Sequence, residues 1–335
     1  MTVRATMTHL ERFQAVMNFQ PVDRLPLLEW ATWWDQTIQR WRGEGLPQMP
    51  DEDLAVYFGL DPYWQHWFNP VASAAPEPSE FGHGFVKNMD EYLAVKPHLY
   101  LAADKAFERV EQMCLRQSQD KALVWFTLEG FFWFPRRLLG IENHLYAFYD
   151  QSELMHKICD DLLDYHLGVI NRLKQNRSVP AFMTFAEDMS YNHGPMLSKQ
   201  LFDEFLAPRY RKIVPLLQEA GIVVFVDSDG DVKELSQWLA EVGIEAILPL
   251  ERQAGCDIAQ LRQTQPRLRI IGHFDKTTMH KGESVVRQEF ERLLPTMKAG
   301  GFIPSVDHQT PPGVSLEQYY SYLRLLKEYA QFAVK

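Results

Sequence analysis

Short apolar runs that stop at acidic or histidine residues recur along the chain. Residues 25–28 end at Glu29, 122–128 at Glu129, 181–186 at Glu187 and Asp188, and 222–226 at Asp227. Residues 245–250 follow, ending at Glu251; 268–272 lead to His273 and Asp275, and 302–306 to Asp307 and His308. Stretches with apolar positions three and four apart, such as 199–217 and 285–297, lie between them and predict amphipathic helices. Near-continuous apolar strands alternating with such helices predict a parallel sheet covered by helices. Eight units over this length close a (β/α)8 TIM barrel, a single α/β domain over 1–335 with its polar site at the C-terminal ends of the strands. A doubly wound open sheet would carry a glycine-rich phosphate loop after its first strand, and no GxGxxG or GxxxxGK[ST] occurs. A helix is expected at about 6–20. The stretch of about 68–90, rich in Pro, Ala, Ser and Gly at its centre, reads as a long loop over the mouth.

Composition narrows the function classes. The chain has 335 residues, 46% of them hydrophobic, with a formal net charge of −10 and no lysine- or arginine-rich run, so no nucleic-acid footprint is present. No apolar stretch is long enough for a membrane span, and the polar N-terminus lacks the core of a signal peptide, which predicts a cytoplasmic protein. Cys114, Cys159 and Cys256 are scattered without CxxC spacing and read as reduced and structural.

The densest chemistry is at 227–231, Asp-Ser-Asp-Gly-Asp. Residues two apart on a strand share a face, so Asp227 and Asp229 point the same way, where like charges need a cation, a proton or a substrate group. A calcium loop does not fit, because its glycine comes early and Trp238 takes its twelfth position. Asp231 is expected to brace the next helix. Glu187 and Asp188 alternate faces, so one is expected to enter the mouth while the other braces a helix.

Several segments together resemble the uroporphyrinogen decarboxylase superfamily. Arg12-Phe13 with Val22-Asp23-Arg24-Leu25-Pro26 is similar to its N-terminal helix and first strand. Glu187-Asp188-Met189-Ser190-Tyr191-Asn192-His193-Gly194-Pro195, Phe202 and Pro208-Arg209-Tyr210 resemble its central signature. Asp227–Asp231, Pro249-Leu250-Glu251, Gly272-His273-Phe274-Asp275-Lys276 and the segment from Gly300 to His308 continue the likeness to the C-terminus. The resemblance implies the barrel fold and either tetrapyrrole decarboxylation or methyl transfer to a corrinoid.

The branch is read from departures. The decarboxylase's Arg-Gln-Ala-Gly-Arg segment is replaced here by Glu29-Trp30-Ala31-Thr32-Trp33-Trp34, leaving no clustered arginines for substrate carboxylates. The methyltransferases' His-x-Cys-Gly zinc ligands are replaced by Asp227-Ser228-Asp229-Gly230. The resemblance therefore implies a methyltransferase with an oxygen-rich divalent-metal site, zinc foremost, held by Asp227, Asp229, Glu251 and His308. Catalytic roles are expected at Glu187, Asp188, Asp275 and His308. Substrate contacts are expected at Glu29, Trp33, Trp34, Glu129, Trp133, His193, His273 and Asp307, with Trp30 joining the other tryptophans as walls for a small, methoxylated substrate. Lys276 reads as an ion-pair partner of Asp275. With no Asp-x-His-x-x-Gly motif, the corrinoid is expected on a separate protein, and the resemblance suggests a homodimer. The alternatives are metal-free tetrapyrrole decarboxylation, glycoside hydrolysis by Glu187 with Glu251 or Glu129, and a non-catalytic ligand-binding barrel.

Overall fold

The computed structural model describes residues 6–101 and 103–334. Its centre is a parallel sheet of seven strands: β1 (Tyr63–Phe68), β2 (Leu123–Glu129), β3 (Phe182–Ala186), β6 (Val223–Ser228), β7 (Ala246–Pro249), β8 (Arg269–Phe274) and β9 (Phe302–Val306), neighbours in that order. A small antiparallel hairpin, β4 (Ser190–Tyr191) with β5 (Gly194–Pro195), follows β3. Six of the seven expected runs are strands of this sheet.

The seventh run is not, and its failure has a chemical cause. Residues 25–28 are extended but outside the ladder. Pro26 has no N–H to give, the Leu27 N–H is taken by the Asp61 carboxylate at 2.9 Å, and the Leu27 carbonyl accepts the Asp61 N–H at 2.8 Å. The ladder's first strand is instead β1, Tyr-Trp-Gln-His-Trp-Phe, whose polar and aromatic residues hide it among loop-like neighbours. Among the described residues the ladder is therefore seven strands, open between β9 and β1, rather than a closed eight-stranded barrel. Side chains span that opening. The Glu29 carboxylate accepts from the Ser305 hydroxyl and from the Val306 N–H (2.9 Å), and the Trp30 indole N–H donates to the Val306 carbonyl (2.8 Å).

The N-terminal end of the sheet is plugged by the helix His9–Met17, which Thr8 and Glu11 start with a reciprocal capping box. Its Phe13 stacks on Phe182 at the foot of β3, ring centroids 5.0 Å apart. The C-terminal helix Leu316–Phe332 packs its Tyr319, Tyr322, Leu323, Leu326 and Tyr329 inward, as its sequence suggests. Beside it Trp33, Trp41, Phe58 and Tyr319 form one aromatic cluster, with Trp41 and Tyr319 centroids 4.5 Å apart and the Trp41 indole donating to the Val314 carbonyl. Trp41 is fully buried, so Trp41→Ala is expected to cost about 3–5 kcal/mol, checked by urea unfolding.

The stretch 69–88 contains no regular helix or strand. It is fastened to the side of the mouth: the Phe85 and Val86 N–H groups both donate to the Leu138 carbonyl, and the Ile141 N–H to the Gly82 carbonyl. The backbones approach so closely that a Cβ on Gly84 would lie 2.1 Å from the Leu139 carbonyl carbon, which only glycine tolerates. None of the described helices is long and apolar enough to cross a membrane. The three cysteines are buried and unpaired.

Candidate active site

The carboxyl ends of the strands surround a cavity of about 210 Å³ lined by Trp30, Gln65, Trp67, Trp125, Thr184, Asp227 and His308. Strand register places these residues. Glu129, Ala186 and Asp227 are neighbours across β2, β3 and β6, one inward step above Thr127 and Thr184. A polar chain crosses below: the Gln65 amide donates to the Thr127 hydroxyl (2.8 Å), which is 2.7 Å from the Thr184 hydroxyl. Asp227 lines the cavity with no hydrogen-bond or ion-pair partner for its carboxylate among the described residues. Its backbone carbonyl accepts the N–H groups of Glu187 and Asp188 at 3.0 and 3.1 Å, ending β3 and sending those two acids different ways.

Asp188, in the left-handed region at φ 38°, pairs with Arg136 at 3.4 Å. Asp229 lies 3.7 Å from the His308 imidazole. Lys276 sits between two acids, its ammonium 3.5 Å from Glu251 and 3.7 Å from Asp307. This corrects the expected pairing of Lys276 with Asp275, whose carboxylate instead caps its own turn by accepting the Thr277 N–H and hydroxyl. Asp307 is fully buried and also accepts the Arg252 and Lys276 backbone N–H groups. Glu251 accepts the Gly230 N–H at 3.2 Å. Gly230, at φ 83°, comes so close to the β4–β5 hairpin that a Cβ would lie 2.8 Å from the Ser190 carbonyl. This holds the hairpin, with His193 exposed at its turn, beside the Asp229 loop. Asp231 braces the following segment as expected, accepting the Lys233 N–H.

Other expected site residues serve as braces. Glu187 is fully buried and accepts the N–H groups of Phe131, Phe132 and Trp133 and the Tyr210 hydroxyl, so it holds the start of the helix Trp133–Leu139. His273 is buried with Nδ1 against the Leu250 carbonyl and Nε2 against the Ile258 N–H, away from the mouth. Glu29 bridges to β9. Trp33 belongs to the aromatic core, and Trp34 is 41% exposed at the start of the helix Asp35–Gly43. Glu129 is buried at the rim, paired with Arg137 and accepting from the Trp67 indole. Trp133 lies beneath the Arg136 guanidinium and, with Arg136 and Arg137, lines a larger cavity of about 620 Å³ under the 69–88 loop. Residues the sequence reading missed are Gln65, Trp67, Trp125, Thr127 and Thr184. The signal for all but Thr184, which lies on β3, was a two-residue alternation of polar and tryptophan positions in β1 and β2.

Burial dominates the electrostatics. It raises Asp227 well above the ordinary carboxylate range, aided by Asp229 and Asp188, and it lifts Asp229 to about 7, aided by Glu251 and Asp188. Asp307 rises to about 6 by burial, with Lys276 opposing, and burial lowers His308, which favours the neutral imidazole. A carboxyl raised in the folded state binds its proton more tightly there than in the unfolded chain. Stability is thus unaffected below about pH 4 and falls as pH rises through the folded value. The Asp229 contribution is about 1–2 kcal/mol after discounting for its 38% exposure. Urea midpoints are expected to fall between pH 5 and 8, with a shallower fall in Asp229→Asn.

The structure brings two of the four expected metal ligands together. Asp229 and His308 are near one another, but Glu251 is engaged with Lys276 and the Gly230 N–H, and no three His, Cys, Asp or Glu side chains among the described residues converge at metal-binding spacing. Lys276 places an ammonium among these acids.

The family model for uroporphyrinogen decarboxylase (URO-D) matches residues 132–329. No curated protein sequence matches significantly. Among solved structures, a methyltransferase from Methanosarcina mazei is similar over 96% of this chain and 99% of its own, with TM-score 0.66 and 14% identity. A putative vitamin-B12 independent methionine synthase from Listeria monocytogenes is similar over 93% of this chain and 98% of its own, with TM-score 0.52 and 12% identity. At these identities the likeness establishes the fold.

Proposed function

The chain belongs to the uroporphyrinogen decarboxylase family, and from that premise we propose that it is a methyltransferase, moving a methyl group from a small methylated molecule to a corrinoid carried by a separate protein. The observation that carries this reading is the unpartnered Asp227 carboxylate in a small tryptophan-lined cavity, ringed by further acids. Asp227 and the tryptophans would hold the donor and aim its methyl group outward. Lys276 fixes Glu251 and Asp307 so that the rim keeps its shape, and the Asp229–His308 pair can hold a proton for a leaving atom that needs one. The corrinoid would supply the methyl-accepting cobalt.

Tetrapyrrole decarboxylation ranks second on two counts. A uroporphyrinogen carries eight carboxylates, and it would meet an excess of acids here, with Arg136 and Arg137 already paired with Asp188 and Glu129. The 210 Å³ cavity is also small for a tetrapyrrole. The test is to give the purified protein reduced cobalamin with a panel of O-, N- and S-methyl compounds, and uroporphyrinogen in a parallel reaction. Methylcobalamin should accumulate with at least one donor. Decarboxylated porphyrinogen without methylcobalamin would reverse the ranking.

A further inference from the structure

Three tryptophans and one unpaired carboxylate around one cavity define a chemical class. Trp30, Trp67 and Trp125 come from three separate segments of the chain and line the same space as Asp227. Their ring faces attract cations, and a carboxylate without a hydrogen-bond donor leaves its charge uncompensated. A primary ammonium would ask for several hydrogen-bond acceptors, and a metal ion for several oxygen or nitrogen ligands, at close range. A methylated ammonium has few or no N–H groups to satisfy and offers a cationic apolar shell instead. Trp125 is 3% exposed and its indole N–H has no partner.

We propose that this cavity binds a quaternary ammonium compound, with Trp30, Trp67 and Trp125 around its methyl groups and Asp227 opposite its charge. The reaction chemistry rests on the methyl-transfer reading, whereas the binding does not. The step balances without a metal or a proton. The methyl carbon takes an electron pair from the reduced corrinoid acceptor, the C–N bond pair stays on nitrogen, and a neutral tertiary amine departs. That leaving group needs no Lewis acid.

The test compares choline with its uncharged isostere 3,3-dimethylbutan-1-ol, and with ethanolamine, by calorimetry and tryptophan fluorescence on the full chain. Choline is expected to bind at least about tenfold more tightly than either. Asp227→Asn and, separately, Trp67→Leu should each weaken choline binding about tenfold, with unfolding midpoints confirming that both variants fold. Trp67 is 46% exposed, so its removal spares the core. Equal binding of choline and the isostere, tighter binding of ethanolamine, or no choline binding up to millimolar concentration would overturn the proposal. Choline binding without any methylcobalamin from quaternary donors would sink methyl transfer and leave the ligand class standing. Methylcobalamin from neutral methoxyl donors without choline binding would do the reverse.

Discussion

Asp227→Asn is expected to reduce methyl transfer by about 100-fold or more while leaving the protein folded and, above neutral pH, at least as stable as the parent. The catalytic loss follows from removing the carboxyl group that lines the cavity and would face the charge of the bound donor, a kind of group commonly worth two to three orders of magnitude. The stability follows from the opposite side of the same fact. Asp227 is half-buried near Asp188 and Asp229, has no donor to compensate it, and is raised well above its ordinary value of 3.8. Ionising it in the folded state is costly, so the amide removes a penalty that grows as pH rises above about 4. Steady-state rates and urea midpoints at pH 5 and 8, measured on both proteins, check the two halves separately. A variant that failed to fold would show that Asp227 braces the sheet.

Glu187→Ala should fail in the other way, by loss of the fold. Its carboxylate accepts three consecutive backbone N–H groups, from Phe131 at 2.8 Å, Phe132 at 2.8 Å and Trp133 at 3.1 Å, and it accepts the Tyr210 hydroxyl. Alanine leaves these donors buried without a partner, at about 1–3 kcal/mol for each that water cannot reach, so about 3–5 kcal/mol is a conservative total. The carboxyl itself is pushed up to about 8 by burial, with the three N–H groups opposing, so glutamine, which keeps an acceptor oxygen, should be milder than alanine. Gly130→Ala should damage the same joint, since its Cβ would lie 2.0 Å from the Glu187 carboxyl carbon. Thermal melts of the three variants test this; near-parental stability of Glu187→Ala would contradict the bracing role.

The contrast between these two acids shows how far the sequence can be read. Both end apolar runs, and the alternation of Glu187 and Asp188 correctly separates a bracing acid from one at the mouth. The expected shared face of Asp227 and Asp229 assumed a strand through both, whereas β6 ends at Ser228 and only Asp227 lines the cavity. Partners brought from distant segments were not legible. Lys276 looked like a neighbour of Asp275, but the turn after β8 lays its ammonium between Glu251 and Asp307. Trp33 and Trp30 stand three residues apart in one aromatic segment, yet Trp33 is committed to Trp41 and Tyr319 while Trp30 reaches the cavity. The strand β1 was missed because its inward residues are Tyr63, Gln65 and Trp67 rather than aliphatic side chains. Gln65 and Trp67 line the site, so the segment that violates the apolar rule is one that carries chemistry.

The most direct measurement is label transfer from a trideuteromethyl donor, a quaternary ammonium compound first, to reduced cobalamin, read by the mass of the recovered cobalamin. The account predicts a three-deuterium methyl group on cobalt with the parent protein, and about 100-fold less with Asp227→Asn at equal folded concentration. Unlabelled cobalamin across donors of every methylated class, with the parent protein folded, would contradict it.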